Sequence, residues 1–250
     1  MVKSIATIIG NATNKHVQGF FEYDAKKENG LTISNLRIGN KQINSHYCLQ
    51  QPNFIAINHF NYVYKYDVLQ NLAKNSIVLL NTTYQANEIG KYLPTNFKEK
   101  IFQTKAKLFI IDANKIARDA GLENYINTIM EICFFKITNF LPFVKAKKDI
   151  ITFFKEKFFH HDEKIIKANL AAINLAINNC EEIDIKKMME TKTEISFLQK
   201  KGFSPQEQFY QHLSNHQGDK LSVSYFCSNT LTSCGSTRYQ KPTIAKNIPI

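Results

Sequence analysis

The sequence predicts an α/β domain of three layers: a β-rich N-terminal part, then a mixed or parallel sheet flanked by helices, with an extended connector at the C-terminal end. Three observations predict it. Short β-branched and aromatic runs fill residues 5–38, apolar runs alternate with helical segments from residue 53, and long helical stripes follow from residue 123.

Residues 5–9 (IATII), 17–23 (VQGFFEY) and 31–38 (LTISNLRI) are bounded by Gly and Asn and read as strands. In the third, apolar side chains fall at Leu31, Ile33 and, past a polar pair, at Leu36 and Ile38. Lys26 and Lys27 lie in the turn between the last two runs, where their ammonium groups could meet a phosphate or simply face water. From residue 53 the rhythm changes to FIAIN and YKYDVLQNL, SIVLLN with ANEIGKYL and FKEKIFQTK, then KLFIID and NKIARDAG. Each is a buried-looking strand followed by a helical segment, which implies a largely parallel sheet covered on both faces.

Residues 123–138 carry Ile126, Ile129, Met130, Cys133, Phe134 and Ile137 at the spacing of one helix face. Leu141-Pro142 ends that helix, and residues 143–158 form a second, rich in Lys. Asp162 is the expected N-cap of a third that runs to about Asn179. Beyond Ile185 the pattern weakens into polar and Ser/Thr/Cys-rich sequence. The expected organisation is therefore a domain over 1–185 and a linker with a connector arm over 186–250.

Composition narrows the function. Nine Gly and six Pro in 250 residues are few, and neither a GxGxxG nor a GxxxxGK[ST] string occurs, which argues against both common nucleotide loops. The longest apolar stretches fall far short of the roughly 20 residues of a membrane helix. The opening MVKSIATIIGN does not read as a secretory leader, so the expected compartment is the cytoplasm. Cys48, Cys133, Cys180, Cys227 and Cys234 contain no CxxC pair, so buried reduced thiols are expected rather than a disulfide framework or a cluster site. The net charge of +11 would suit a polyanion, yet only Arg37, Arg118 and Arg238 are arginines, and Lys is heavily used throughout with Asn and Ile. Nucleic acid is accordingly not the expected partner, and an anionic small ligand is the functional alternative to a solvated basic surface.

Chemistry-bearing clusters are sparse. His160-His161-Asp162 reads as an exposed helix entry, since neighbouring side chains point apart and no HExxH follows. Asn11-Ala12-Thr13 and Asn81-Thr82-Thr83 fit the glycosylation pattern but carry no meaning without a secretory leader. No nucleophile elbow and no paired carboxylates on one helix face are found, so no catalytic side chain is expected.

The run GFFEYDAKKENGLTISNLRIG (19–39), followed by YKYDVLQNL, SIVLLNTTY, KLFIIDANKIARDAGL, INTIMEICFFKITNFLPF and DEKIIKANLAAINLAI, resembles the γ region of pyruvate:ferredoxin (flavodoxin) oxidoreductase in order and spacing. The likeness runs from about residue 4 to 180. QGDKLSVSYF and the closing STRYQKPTIAKNIPI resemble the connector that precedes the iron–sulfur domain in single-chain members. The resemblance implies the γ part of an enzyme that oxidatively decarboxylates pyruvate on thiamine diphosphate. Electrons pass through iron–sulfur clusters to ferredoxin or flavodoxin, and the acetyl group passes to coenzyme A.

The thiamine- and cluster-binding parts belong to other regions or subunits, which would be this chain's partners. The γ region engages coenzyme A, and the carry-over falls on Lys26 and Lys27 in YDAKKENG, Asn127 in YINTIM and Asn169 in IIKANLAA. Lys neutralises phosphate as a point charge, and Asn donates and accepts toward an adenine edge or a pantetheine amide. The isolated chain is expected to be inactive, and an anaerobic energy organelle replaces the cytoplasm if the host is eukaryotic.

Several positions depart from the family pattern. A glycine-containing loop that the family places ahead of this region is expected to be missing, with Lys3 near the place of its lysine. Glu123-Asn124-Tyr125 stand where the family has Gly-Gly-Arg, Thr83-Tyr84 replace a tryptophan, and Gln240-Lys241-Pro242 replace Glu-Lys-Arg. These departures support an alternative reading, a non-catalytic remnant or assembly module of the same enzyme. A Lys-rich nucleic-acid binder is the third.

Overall fold

A computed structural model describes residues 1–24, 30–45, 47–123, 125–157 and 163–193, with 212–213, 218, 221 and 223. The chain divides into two compact units, Met1–Ile195 and Ser196–Ile250. All elements named below belong to the first.

The chain opens with helix α1, Val2–Ala12, where the sequence predicts a strand over 5–9. The β-branched residues Ile5, Thr7, Ile8 and Ile9 oppose a helix by only about half a kcal/mol each. Val2, Ile5 and Ile8 with Ile9 recur at helical spacing, and all four are buried. Burying that stripe stabilises the helix by more than propensity takes away.

Strands β1 (His16–Tyr23) and β2 (Thr32–Gly39) then pair antiparallel from His16↔Gly39 to Tyr23↔Thr32. One hairpin face sends Val17, Leu36 and Ile38 toward the core. On the other face, the Asn35 amide donates to Glu22 Oε1 at 2.6 Å and its carbonyl oxygen accepts from the Leu49 N–H at 3.1 Å. That bond seats the segment after β2.

The second sheet contains β3 (Phe54–Ile57), β4 (Ile77–Asn81), β5 (Lys107–Ile111) and β6 (Glu181–Glu182), in that spatial order. The first three run parallel, and β6 joins β5 antiparallel at the edge. The sheet is thus mixed, as expected, but β6 itself carries no sequence signal. Two glutamates make neither a β-branched run nor an alternation, and their pairing depends on a neighbouring strand already in place.

Strand alternation divides the core. Phe54, Ala56, Leu79, Phe109 and Ile111 face a layer built from α1, α5 (Ala113–Asp119), α6 (Asn127–Thr138), α7 (Phe143–Lys157) and α8 (Glu163–Asn179). Ile55, Ile57, Val78, Leu80, Leu108 and Ile110 face α2 (Tyr62–Lys65), α3 (Ile89–Tyr92), α4 (Thr95–Thr104) and α9 (Ile185–Glu190). Helices on both sides of one sheet give the three layers.

YKYDVLQNL supplies only the end of the short α2 and a series of turns, since its apolar positions meet the sheet without needing a long helix. The expected cap Asp162 lies outside the described residues. Beyond position 185, α9 is capped by the Asp184 carboxylate, which accepts from the N–H groups of Lys186 and Lys187, and it buries Met188. Of the cysteines described, Cys133 and Cys180 are buried as expected, whereas Cys48 is exposed because its loop lies outside the core.

Candidate functional site

Helix α6 begins after the turn at Gly121, where φ of +79° lets the chain reverse. Leu122, buried at the core, anchors the turn. Ile126 takes the cap position without a side-chain cap, and no acidic residue occupies the first turn. The first N–H groups of a helix have no partner within it. This end therefore presents donors and a partial positive charge, the features that favour an anion.

Asn127 is the first residue of α6 and is exposed, and Tyr125 before it is 72% exposed. Thr128, next along the helix, turns inward. Its hydroxyl donates to the Asn169 side-chain carbonyl at 2.7 Å, and the Asn169 amide donates to the Ile165 carbonyl at 2.8 Å. Asn169 is only 6% exposed, and its bond from Thr128 ties α8 to the start of α6. Of the two asparagines singled out in the sequence, Asn169 is bound to the first turn of α6 through Thr128, and Asn127 is exposed one residue before that threonine. Sequence reasoning missed Thr128, whose signal is its place in a helix first turn, where a hydroxyl readily reaches a neighbouring element.

Lys26 and Lys27 lie outside the described residues. Lys3, exposed on α1, sits 5.4 Å from the centroid of the Phe21 ring on β1. His160, His161 and Asp162 are likewise outside the described residues.

A second polar group closes the carboxyl ends of the parallel strands, where open α/β sheets commonly bind ligands. Asn81 at the end of β4 is 2% exposed; its amide donates to the Asn58 carbonyl at 2.9 Å, and its carbonyl oxygen accepts from the Ala113 N–H at 2.9 Å. Asn81, read in the sequence only as part of a glycosylation pattern, is a buried clamp across three strand ends. Beside it Tyr84 stacks on Tyr92 at 3.8 Å, with Phe60 against its edge at 5.0 Å. Tyr64 donates its hydroxyl to the Tyr92 carbonyl, and burial pushes its pKa up to about 12.

The fold is shared with a subunit of an oxidoreductase. The PORC subunit of pyruvate oxidoreductase from Thermotoga maritima superposes with a TM-score of 0.55 at 19% identity, over 73% of this chain and 89% of that one. The chain belongs to the pyruvate ferredoxin/flavodoxin oxidoreductase family, whose sequence profile matches residues 1–179. It is 36% identical to the pyruvate:ferredoxin oxidoreductase of Moorella thermoacetica and 30% identical to the pyruvate-flavodoxin oxidoreductase of Trichormus variabilis, in each case over 99% of its length. It is also 32% identical to the pyruvate dehydrogenase [NADP(+)] of Cryptosporidium parvum. The chain spans about a fifth of the length of the first two relatives. Among the described residues, no helix is long and apolar enough to cross a membrane.

Proposed function

We propose that this chain is the γ part of a pyruvate:ferredoxin or pyruvate:flavodoxin oxidoreductase and docks coenzyme A for acetyl transfer. The observation that carries the reading is the meeting of YINTIM and IIKANLAA, forty-one residues apart at Thr128 and Asn169, beside an uncapped helix N-terminus. Phosphate suits that end because its N–H groups are unpaired within the helix. The exposed Asn127 would donate to phosphate or amide oxygens of the ligand, Asn169 would hold α6 in place through Thr128, and Lys26 and Lys27 would neutralise phosphate charge.

The chain's contribution is positioning. Holding the thiol of coenzyme A at the reacting carbon removes an entropic barrier without a catalytic side chain here. Thiamine diphosphate would supply the carbanion chemistry and iron–sulfur clusters the electron path. Both groups would be held by the partner regions or subunits. The cytoplasm, or an anaerobic energy organelle in a eukaryote, suits this chemistry.

The test uses the enzyme assembled with its thiamine- and cluster-bearing parts. Lys27→Ala and Asn127→Ala should each raise the KM for coenzyme A at least several-fold while leaving the initial pyruvate-dependent reduction of the clusters unchanged. Wild-type KM values for both variants would refute the docking role and favour a remnant or assembly module.

A further inference from the structure

We propose that the cleft between α1 and α7 binds a small zwitterion, an α-amino acid with an apolar side chain, its ammonium on Asp149 and its carboxylate on Lys145. The cleft has a volume of about 260 Å³. One wall is the α1 face that carries Ile8, Asn11 and Ala12, and the other is the α7 face that carries Lys145, Asp149 and Phe153. None of the lining residues belongs to α6 or α8, which hold Asn127 and Asn169.

Lys145 and Asp149 stand four residues apart on α7, the spacing at which opposite charges commonly meet on a helix. They do not pair with each other. The Lys145 ammonium donates instead to the Ala12 carbonyl at 2.9 Å, in the last turn of α1, which has no basic residue of its own. An ammonium carries three donors, so two remain. One carboxylate oxygen of Asp149 is enclosed and has no hydrogen-bond partner. Its water is already lost, and a turn about the last side-chain bond exchanges it with its neighbour. A cationic donor in the cleft therefore gains a charge-assisted bond to a carboxylate whose desolvation has been partly met by the fold.

Charge and size select the occupant. A cation alone would face the Lys145 ammonium and an anion alone the Asp149 carboxylate, each a like-charge contact beside a partly dried group. A molecule with both charges on neighbouring groups satisfies both. Asn11, exposed on α1, can donate to the ligand carboxylate or accept from its ammonium. Ile8, Ala12 and Phe153 supply the apolar surface that would take the ligand side chain. The volume lies below the roughly 300–1,000 Å³ of sites for drug-sized ligands, so the occupant is smaller than a nucleotide.

The experiment titrates the full chain with L-valine, following the methyl signals of Ile8 and Ala12 by NMR and the affinity by calorimetry. Two further probes each lack one charge: isobutylamine has no carboxylate, and isovalerate has no ammonium. The expected result is a saturable shift at Ile8 and Ala12 with valine, and binding at least about ten-fold weaker for either probe. Asp149→Asn and Lys145→Gln, which keep the side-chain size and remove the charge, should weaken valine by a similar factor. The proposal is overturned if these signals do not respond to valine through the millimolar range. Binding of isobutylamine or isovalerate as tightly as valine also overturns it, since the site would then read one charge only. Unchanged affinity in Asp149→Asn does the same, and if that variant fails to fold, the two probes on the unaltered chain decide.

Discussion

The two faces of the sheet are covered in different ways. On one face lie helices of 11, 12, 15 and 17 residues, α1, α6, α7 and α8, with the seven-residue α5 beside them, and their apolar stripes make a continuous core. On the other lie α2 and α3 of four residues each and α9 of six, with α4 the longest at ten. Helices this short do not stand alone in water, because nucleation outweighs the few bonds they close. Their apolar contacts with the sheet and several side-chain clamps hold them. Lys98 on α4, itself 4% exposed, donates to the carbonyls of Gly90 at 3.2 Å and Thr191 at 2.7 Å, joining α3, α4 and the end of α9. Thr193 donates to the Leu93 carbonyl at 3.1 Å, and Tyr64 reaches Tyr92 from α2. The long-helix face is held mainly by area, whereas the short-helix face adds a few directional bonds to its own apolar core.

The largest expected effect lies on the long-helix face. Phe135 is fully buried, its ring edge-on to Phe134 at 5.1 Å, and Phe135→Ala should lower the unfolding free energy by about 3–5 kcal/mol through lost burial and the cavity left. A loss under about 1 kcal/mol in urea titration would show that this face is not held by packing area.

On the opposite face, Lys98→Met leaves two carbonyls without their donor and should lose about 1–3 kcal/mol near neutral pH. Burial lowers the Lys98 pKa below its ordinary 10.5. The charged form is therefore disfavoured in the fold, and the stability linked to this group is present above pH 10.5 and falls as pH drops through the lowered pKa. The wild-type advantage over Lys98→Met should widen between neutral pH and pH 10.5. A constant gap in urea titrations across that range would remove the argument.

Tyr64→Phe should lose about 1 kcal/mol, one hydrogen bond. The Tyr64 pKa is raised from 10 to about 12 by burial, with the neighbouring Tyr84 adding to it, so the neutral form is favoured in the fold. The stability it contributes is complete below pH 10 and is lost as pH rises through about 12. The variant should show a shallower alkaline decline in a pH series of thermal melts.

The smallest effect on stability belongs to the proposed site. Asn127 is exposed at a helix end, and Asn127→Ala should alter stability by no more than about 0.5 kcal/mol in the same titration. A larger loss would make Asn127 a structural residue like Asn169, and any change in coenzyme A kinetics would then carry no information about binding.

The faces differ in legibility for the same reason that they differ in construction. The stripe Ile129, Met130, Cys133, Phe134 is local and periodic, so α6 and its buried side are readable from spacing alone. The hairpin strands are readable from their β-branched and aromatic runs. The stripe of Val2, Ile5, Ile8 and Ile9 is equally local, yet the β-branched content over residues 5–9 suggests a strand, and only its burial makes it a helix. In the candidate site, Asn127 and Asn169 stood out through family resemblance, whereas Thr128, which couples α6 to Asn169, did not.

By itself the sequence determined the β-to-α alternation, the three long helices, the family and the segments that belong to it, because periodicity and motif order are properties of neighbouring residues. Tertiary structure alone decided that α1 is a helix and that Glu181–Glu182 pair with β5. It also decided that Lys98 can be buried and that Asn169 faces Thr128. Each of these joins residues far apart in the chain. Their energies come from burial and from hydrogen bonds between elements, which exist only once the layers have assembled.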